Sequence, residues 1–335
     1  MKKSKEIISD KVSVVNQILP HTNKWAWQLF LDGAANNWMP TEVPMSKDIE
    51  QWRSSQLSDD ERLMVKRCLG FFAGSESLVA NNLLLSIFKF VTDAECRQYI
   101  LRQAYEESLH NLTVVYVCDS LGLDIDEVYQ AYLSIPSIKV KDDFLMEIST
   151  DINRPNFNIN TIEGKKEFLR NIITYYVICE GIFFFSGFAM LLSLNRQNKM
   201  PGIGEQIQYT LRDESLHIKF GTNLINRIRE DNPKVWSKSF EQETMSHIEK
   251  AIELEVQYAK DVLPNGILGL NSDMFIDYVK YIANRRLVNL NMDSPYKDAK
   301  NPFPWMSEII DLEKCKNFFE TRVTEYSSGN IEDDF

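Results

Sequence analysis

Long stretches of the chain place apolar residues three or four positions apart, the spacing of one face of an α-helix. No run alternates apolar and polar residues for long enough to indicate a β-strand. The pattern therefore predicts an all-α fold. The first predicted helix begins after residues 58–61, and the second begins at 92–95 and ends near Leu121–Gly122. Four more helices are predicted over about 165–195, Gly204–Arg229, 235–262 and 272–291.

Signals for helix ends lie between these stretches. "SDDE" at 58–61 has capping-box spacing with Ser58 and Glu61, and "TDAE" at 92–95 repeats that spacing. Pro201 and Pro233 lie just beyond the third and fourth predicted helices. The most apolar run, 181–194, covers about 14 residues, which is too short to span a bilayer and suits a buried core helix.

Composition narrows the class of protein. Hydrophobic residues make up 44% of the 335 positions and charged residues 25%, as in a globular chain. We expect one large domain over 1–316 and a flexible tail over 317–335, whose last residues, 325–335, lack helical periodicity. A net charge of -11 argues against a nucleic-acid-binding surface, which needs clustered lysine and arginine.

The compartment is predicted from the start of the chain and from its cysteines. "MKKSK" is basic, but no apolar segment follows it, so we expect no secretory signal. The five cysteines are scattered, and none forms a CxxC pair. This pattern favours buried thiols in a reducing cytoplasm over disulfides or a cysteine-ligated zinc site.

The tetrapeptide "ESLH" occurs twice and contains two of the four histidines. On a helix, residues three apart share a face, so Glu107 would lie beside His110 and Glu214 beside His217. A carboxylate and an imidazole on one face can chelate iron, manganese or zinc. A single such pair would more simply be a salt-linked surface pair, but the flanking residues of the two copies also match.

A lone glutamate precedes each copy by about one helical hairpin. Glu76 lies 31 residues before Glu107, and Glu180 lies 34 residues before Glu214, each within an apolar helix. An ionised carboxylate there needs a partner or a metal. Four helices would thus bring four carboxylates and two imidazoles together, the ligand pattern of ferritin-like dimetal carboxylate proteins. The predicted ligands of this dinuclear site are Glu76, Glu107, His110, Glu180, Glu214 and His217.

Two further carboxylates compete for these roles. Glu106 and Asp213 lie four residues before the two histidines, also one helical turn away. Because glutamate is common to both copies at the position three residues before histidine, Glu107 and Glu214 are assigned as ligands. Glu106 and Asp213 are then candidates for orienting the ligating imidazoles.

At these motifs the chain resembles the radical-generating small (beta) subunit of class I ribonucleotide reductase. The resemblance covers nearly the whole length: "NNWMPTEVP" at 36–44, "FFAGSES" at 71–77, "RQAYEESLH" at 102–110, "LRDESLH" at 211–217 and "NFFETRVTEY" at 317–326. The paired ExxH motifs alone would also fit ferritins or monooxygenases. Trp38, Asp213 and the "RVTEY" tail make the match specific to the reductase.

The resemblance implies a function and the residues through which the oxidising equivalent would be transferred. A ferritin-like bundle, acting as a homodimer, would activate oxygen at its metals and store a one-electron oxidising equivalent. A cysteine of a separate large (alpha) subunit would receive it for deoxyribonucleotide synthesis. Trp38 and Asp213, with Asp213 linked to His110, would form the transfer route beside the metals. Tyr326 would bridge to the large subunit, and the acidic end "EDDF", with Phe335 as apolar anchor, would dock there.

The sequence departs from most of that family at the radical position. A tyrosine usually stands one turn after the first ligating histidine, but here the residue is Val114. Valine has no oxidisable group, so no stable radical can form on it. Tyr116 lies roughly 200° away around an ideal helix, so a small shift cannot bring it to that position.

Other residues resemble the tyrosine-less subgroup known from chlamydial proteins. That subgroup has a glutamate where Glu76 stands, in place of the commoner aspartate, and stores its oxidising equivalent on a manganese–iron pair. Tyr209 lies close to a tyrosine which that subgroup uses during activation. The radical position there is phenylalanine rather than valine. The resemblance favours Mn/Fe, and di-iron or di-manganese stays open because Glu and His suit several metals.

Two other functions fit the same metal pattern. One is a dimetal oxidase of similar fold that oxidises a bound lipid-like ligand, and the other is metal or iron storage. Neither needs the "RVTEY" segment or an acidic terminal phenylalanine, so the tail favours the reductase subunit.

Overall fold

The computed structural model describes residues 6–11, 15–149 and 151–312. Within these ranges the chain forms helices, two isolated β-bridges and no β-strand, which confirms the all-α prediction. The α-helices are α1 (Lys24–Ala35), α2 (Ser46–Arg53), α3 (Asp59–Asn82), α4 (Phe88–Phe90), α5 (Ala94–Leu121), α6 (Ile125–Tyr129), α7 (Ala131–Ser134), α8 (Pro136–Ile148), α9 (Ile162–Ile173), α10 (Phe184–Asn195), α11 (Pro201–Asp231), α12 (Lys238–Val262), α13 (Met274–Asn289) and α14 (Pro304–Leu312). A 3₁₀-helix covers Pro40–Glu42, and π-helical segments cover Leu83–Ile87 and Thr174–Phe183.

Four long helical rods surround one interior. They are α3, α5, α11 and the continuous rod Ile162–Asn195, which joins α9 to α10. Helix α3 packs on α5 and α10, while α11 packs on α5 and on the second half of that rod. Helices α1, α8, α12 and α13 cover the outside of this bundle.

The two predicted capping boxes had different outcomes. At α3 the prediction is confirmed, because Ser58 Oγ accepts from the backbone N–H of Glu61 at 3.1 Å and Glu61 Oε2 accepts from Ser58 at 2.9 Å. At α5 it is wrong. Asp93, not Thr92, is the N-cap, and its Oδ1 accepts from Cys96 N–H at 2.9 Å. The carboxylate of Glu95 instead accepts the backbone N–H of Thr22 at 2.6 Å, so tertiary contact replaces the local box.

Two other predicted helices begin earlier than the sequence pattern indicated. The rod begins at Ile162, since Thr161 Oγ1 caps it by accepting from Gly164 N–H at 3.0 Å. Helix α11 begins at Pro201 rather than Gly204, and proline suits the first helical position because it has no N–H to leave unpaired. Asp48 then accepts from the N–H of Gly202 at 2.8 Å, which anchors this helix start.

The rod Ile162–Asn195 contains a π-helical segment, Thr174–Phe183, that the apolar pattern did not reveal. In this segment the carbonyl of Gly181 accepts a hydrogen bond from Arg286 Nε at 2.7 Å. The guanidinium of Arg286 also lies 4.5 Å from the centre of the Phe185 ring. Burial lowers the pKa of Arg286 to about 9, so the side chain still carries its charge at neutral pH.

Two helical stretches, Asp59–Phe90 and Ile162–Asn195, are long and apolar enough to cross a membrane by length and composition alone. The most apolar window of the second is buried throughout inside the protein, and 56% of the first window is buried. A helix enclosed by protein has no face left for lipid. Residues 181–194 therefore form the buried core helix that the sequence predicts.

A buried ion pair joins α8 to α12. Lys141 and Glu255 are both fully buried, and Lys141 Nζ lies 2.6 Å from Glu255 Oε2. The ammonium also faces the rings of Phe71, Tyr258 and Phe183, at 3.5, 3.9 and 4.5 Å from their centres. Burial lowers the pKa of Lys141 and raises that of Glu255, so the cost of desolvation exceeds the mutual attraction of the two charges.

Candidate metal centre

The two ExxH motifs lie on facing helices and point into the bundle. Glu107 and His110 come from α5, and Glu214 and His217 from α11. All four side chains are at most 1% exposed. The helical spacing of three residues thus places each carboxylate beside its imidazole, as the sequence predicts.

The two lone glutamates complete the cluster. Glu76 comes from α3, and Glu180 comes from the π-helical segment. Two groups of potential metal ligands result, and within each group one ligand atom per residue lies within 4.8 Å of all the others. The groups are Glu76, Glu107, His110 and Glu214 at the first metal position, and Glu107, Glu180 and His217 at the second. Glu107 belongs to both.

Both imidazoles turn Nδ1 towards the carboxylates of the cluster. His110 Nδ1 lies 3.1 Å from Glu214 Oε1 and 3.6 Å from Glu76 Oε2. His217 Nδ1 lies 3.2 Å from Glu107 Oε1. Each Nδ1 is therefore the ring nitrogen available to a metal.

The opposite ring nitrogens contact carboxylates from the other helix. His217 Nε2 lies 3.0 Å from Glu106 Oε2, and Glu106 Oε1 accepts from Arg102 Nε at 2.8 Å. His110 Nε2 lies 3.6 Å from Asp213 Oδ2. Since an ionised carboxylate can only accept, the 3.0 Å contact with Glu106 places a hydrogen on His217 Nε2, and His217 Nδ1 would then offer its lone pair to a metal. Glu106, the residue before the first ExxH motif, thus orients the histidine of the second motif, while Asp213 lies beside the histidine of the first.

The electrostatics of the cluster favour bound cations. Burial raises the pKa of Glu76 to about 8 and raises that of Glu180 well above its ordinary value. Burial opposes protonation of His110 and His217, yet the surrounding carboxylates raise the pKa of both. The raised pKa values show that the four buried carboxylates ionise together only with positive charge beside them, which bound metal ions would supply.

The pattern of unpaired atoms tests whether a metal pair fits. The following inward-facing atoms are buried and have no hydrogen-bond partner: Glu76 Oε2, Glu107 Oε2, His110 Nδ1, Glu180 Oε2, both carboxylate oxygens of Glu214, and His217 Nδ1. Leaving so many buried polar atoms unpaired is costly unless something binds them. Oxygen and imidazole ligands suit manganese and iron, so the cluster fits a dinuclear metal site.

Comparison with known proteins shows which family this chain belongs to. A family model described as "Ribonucleotide reductase, small chain" matches residues 15–302. The chain belongs to the ribonucleotide reductase small-chain family. It is 57% identical to the ribonucleoside-diphosphate reductase subunit beta of Chlamydia pneumoniae, over 95% of this chain and 92% of that one. It is 30% identical to the Danio rerio subunit M2, over 91% of this chain and 74% of the other.

Solved structures of reductase small subunits have the same fold. The R2 subunit from Clostridium botulinum matches with a TM-score of 0.79 at 28% identity, covering 86% of this chain and 89% of its own. The Rnr4 homodimer from Saccharomyces cerevisiae, at 20% identity and a TM-score of 0.70, covers 89% of each chain and supports the fold alone. The ferritin-like fold and the relation to chlamydial small subunits are therefore confirmed.

In this reductase small subunit, the predicted transfer residues lie beside the cluster. Trp38 is 5% exposed, and its Nε1–H donates to Asp213 Oδ2 at 2.7 Å. The Trp38 ring lies 5.2 Å from that of Tyr209, whose hydroxyl donates to Glu205 at 2.9 Å. Asp213 therefore contacts both the tryptophan and a histidine of the cluster.

The position usually held by the family's radical tyrosine is apolar and buried. Val114 is 3% exposed on α5, one turn after His110. Tyr116 instead donates its hydroxyl to the backbone carbonyl of Val43 at 3.0 Å. Tyr116 thus bonds outside the cluster, as its helical position predicts. Tyr326 and the rest of 317–335 lie outside the described residues.

Sequence reasoning missed three residues at the site. Arg102 holds Glu106, as described above, while Gln103 contacts two of the predicted ligands and Tyr176 contacts Gln103. One signal could have found Gln103: it lies four residues before Glu107, on the same helical face. Tyr176 has the same spacing from Glu180, but its contact with Gln103 joins two separate helices, so the sequence does not reveal that contact.

Proposed function

We propose that this small subunit stores a one-electron oxidising equivalent at a dimetal centre, without a tyrosyl radical beside the metals. The equivalent is delivered to a separate large subunit for nucleotide reduction. The observation that carries this proposal is the buried valine at position 114, one helical turn after His110 of the carboxylate and histidine cluster. With no oxidisable atom at that position, storage falls to the metals themselves.

The metal pair would be held by the six clustered side chains. Glu107 would be shared between the two ions, since it belongs to both ligand groups. When bound, a manganese–iron pair would supply the oxidising equivalent by reacting with oxygen. Support for Mn/Fe over di-iron or di-manganese comes from Glu76, from Val114, and from 57% identity to a chlamydial small subunit.

The contacts of Trp38 support its role as the exit for the oxidising equivalent. Its indole N–H donates to Asp213, and Asp213 Oδ2 also lies near His110 Nε2. One carboxylate therefore lies beside a metal-facing imidazole and accepts the indole N–H, and this hydrogen bond would stabilise the ring when it loses an electron. Tyr209, with its ring beside Trp38, extends this aromatic pair outwards and is proposed to serve during activation.

The other buried tyrosines near the cluster are poorly suited to radical storage. Tyr176 donates to the neutral amide oxygen of Gln103 at 2.9 Å, and burial raises its pKa well above the ordinary value. Tyr99 is fully buried, and its hydroxyl has no hydrogen-bond partner. Oxidation of tyrosine to a neutral radical requires a proton acceptor, and neither phenol contacts a base.

The first prediction concerns the radical. After loading with manganese and iron and exposure to oxygen, electron paramagnetic resonance should detect no stable tyrosyl signal, because Val114 cannot carry one. The control is protein grown with ring-deuterated tyrosine, whose spectrum should be the same as that of unlabelled protein. A stoichiometric signal that narrows on deuteration would show that another tyrosine stores the radical.

The second prediction separates delivery from storage. Tyr326→Phe removes the phenolic proton and leaves the six metal-facing residues unchanged. The variant should bind metals and react with oxygen normally, yet lose nucleotide reduction with its large subunit by at least about 100-fold, in the range for loss of an essential group. The measurement is reductase activity beside metal content and yield of oxidised protein.

A truncation provides the matched control for that variant. Removal of 328–335 should weaken binding to the large subunit and likewise leave metal content unchanged. Adding excess large subunit should therefore recover activity in the truncated protein and not in Tyr326→Phe. Wild-type turnover by Tyr326→Phe would contradict the relay and favour the oxidase alternative.

Assembly and compartment are part of the same proposal. We propose a homodimer that works with a large subunit through its tail, and the Saccharomyces cerevisiae relative is described as a homodimer. A reducing cytoplasm is supported by four buried free thiols, Cys68, Cys96, Cys118 and Cys179. Cys315 lies outside the described residues.

A further inference from the structure

Gln103 lies between the two ligands that meet at the second metal position. Its Nε2 donates to Glu107 Oε1 at 3.2 Å and to Glu180 Oε1 at 3.3 Å. The side chain is fully buried. One amide group therefore ties a carboxylate of α5 to a carboxylate of the π-helical segment.

Tyr176 fixes which end of the amide faces the carboxylates. Its hydroxyl donates to Gln103 Oε1 at 2.9 Å. Because a phenol donor needs an acceptor, the amide oxygen faces the tyrosine and the NH₂ group faces Glu107 and Glu180. A flipped amide would direct its oxygen at two carboxylates, which repel it, so the observed orientation is the only one that satisfies all three partners.

The position of Tyr176 is itself fixed by close packing. Its ring lies against Gly221 of α11, where an added Cβ would come within 2.1 Å of the tyrosine Cγ. The Phe220 ring lies 6.0 Å away on the same helix. A tyrosine held this tightly can orient the amide without itself moving.

The hydrogen bonds from Gln103 distinguish the two oxygens of each carboxylate that it contacts, Glu107 and Glu180. They occupy Oε1 of Glu107 and Oε1 of Glu180, while Oε2 of each has no hydrogen-bond partner. The amide also adds two donors without adding charge to a cluster already rich in carboxylates. Glu180 Oε2 is thereby left for a metal at the second position, and Glu107 Oε1 is held beside His217 Nδ1, 3.2 Å away.

We infer that Gln103, oriented by Tyr176, positions Glu180 and Glu107 and so sets the affinity of the second metal position. This inference rests on the dinuclear centre proposed above. The second position has three ligand residues, against four at the first, and Glu180 belongs to it alone. Loss of the amide bonds therefore weakens the second position more than the first, because two of its three ligand residues lose a hydrogen bond, against one of four at the first. Gln103 and Tyr176 are positioning residues, since they act through the carboxylates.

The test compares metal binding in three variants under anaerobic conditions. Gln103→Met keeps the length of the side chain and removes its donors, and Tyr176→Phe removes the hydroxyl that orients it. Tyr99→Phe is the matched control, because Tyr99 is also fully buried and packs on Phe220 at 4.3 Å, but its hydroxyl has no partner. Titration with Mn²⁺ against a chelating dye gives the affinity of each binding step, and thermal unfolding of metal-free protein gives stability.

We expect Gln103→Met and Tyr176→Phe to weaken one of the two binding steps by about 10–100-fold, the usual effect of removing a group that orients a ligand. The other step should change by less than about threefold, and Tyr99→Phe should bind like wild type. The weakened step should be the one that disappears in Glu180→Ala. These results, with metal-free Tyr176→Phe still folded at the temperature of the titration, would support a positioning role.

Two contrary results have separate meanings. If wild type binds two ions and Tyr176→Phe and Gln103→Met bind them equally well, or lose both steps equally, the positioning role is overturned and the dinuclear centre stands. If wild type itself binds fewer than two ions, the dinuclear centre is wrong. Should Gln103→Met fail to fold, Tyr176→Phe compared with Tyr99→Phe decides the question alone.

Discussion

Glu107→Ala is expected to remove both metal ions from an otherwise folded protein and to abolish its support of nucleotide reduction. Glu107 is the residue shared by the two ligand groups, so its loss takes a carboxylate from each position. Loss of a group that merely orients a ligand costs about 10–100-fold in affinity, so loss of this shared ligand should cost more than about 100-fold at both positions. Metal content per chain, measured after loading and gel filtration, checks the result.

Two further ligand variants make this expectation specific. Glu76 belongs only to the first group and Glu180 only to the second, so Glu76→Ala and Glu180→Ala should each retain one ion. Tyr99→Phe serves as a control, because the Tyr99 hydroxyl is buried without a hydrogen-bond partner and the change removes no ligand. Circular dichroism should show the same helix content in every variant. Retention of two ions by Glu107→Ala would contradict the shared-ligand arrangement.

Among the variants proposed here, Glu255→Leu is expected to lower the free energy of unfolding of the metal-free protein most. It leaves the Lys141 ammonium fully buried without its carboxylate, and breaking a buried ion pair in this way costs about 3–5 kcal/mol. With an unfolding entropy of about 2.1 cal/mol/K per residue, the unfolding midpoint should fall by about 4–7 °C. Calorimetry or denaturant unfolding of metal-free protein measures the change.

The double variant Lys141→Met, Glu255→Leu separates charge from packing. Because burial already lowers the pKa of Lys141 and raises that of Glu255, desolvation dominates this pair. An apolar pair of similar volume should therefore recover most of the lost stability or exceed wild type. The aromatic rings around Lys141 can pack against methionine equally well. A double variant as unstable as Glu255→Leu would assign the loss to packing.

The candidate ligands could be predicted because helical geometry is local. Three residues between Glu107 and His110, and between Glu214 and His217, fix each pair on one face whatever the tertiary structure is. The lone glutamates Glu76 and Glu180 could be found because a carboxylate within an apolar helix requires an explanation.

The features that sequence reasoning missed depend on contacts between distant segments. The N-cap of α5 is Asp93 rather than the predicted Thr92. The Glu95 carboxylate, which the predicted capping box would use, instead accepts from the backbone N–H of Thr22, 73 residues earlier. The hydrogen bond from Tyr176 to Gln103 likewise spans 73 residues. Apolar periodicity also cannot reveal that Thr174–Phe183 is π-helical. A helix that is apolar on every side has no polar face whose position would change at an extra residue.

The π-helical segment has a consequence for how this family could have changed through insertion and deletion. Each π-type bond closes a turn one residue longer than an α-helical turn, so a π segment amounts to an extra residue accommodated within a continuous helix. Each such residue offsets the flanking faces by about 100°. Deleting one residue from Thr174–Phe183 would thus turn Glu180 away from the cluster relative to one end of the rod, while leaving the rod helical. The helical register of this rod, rather than its amino-acid composition, therefore decides whether Glu180 faces the cluster and the bundle can hold two metals.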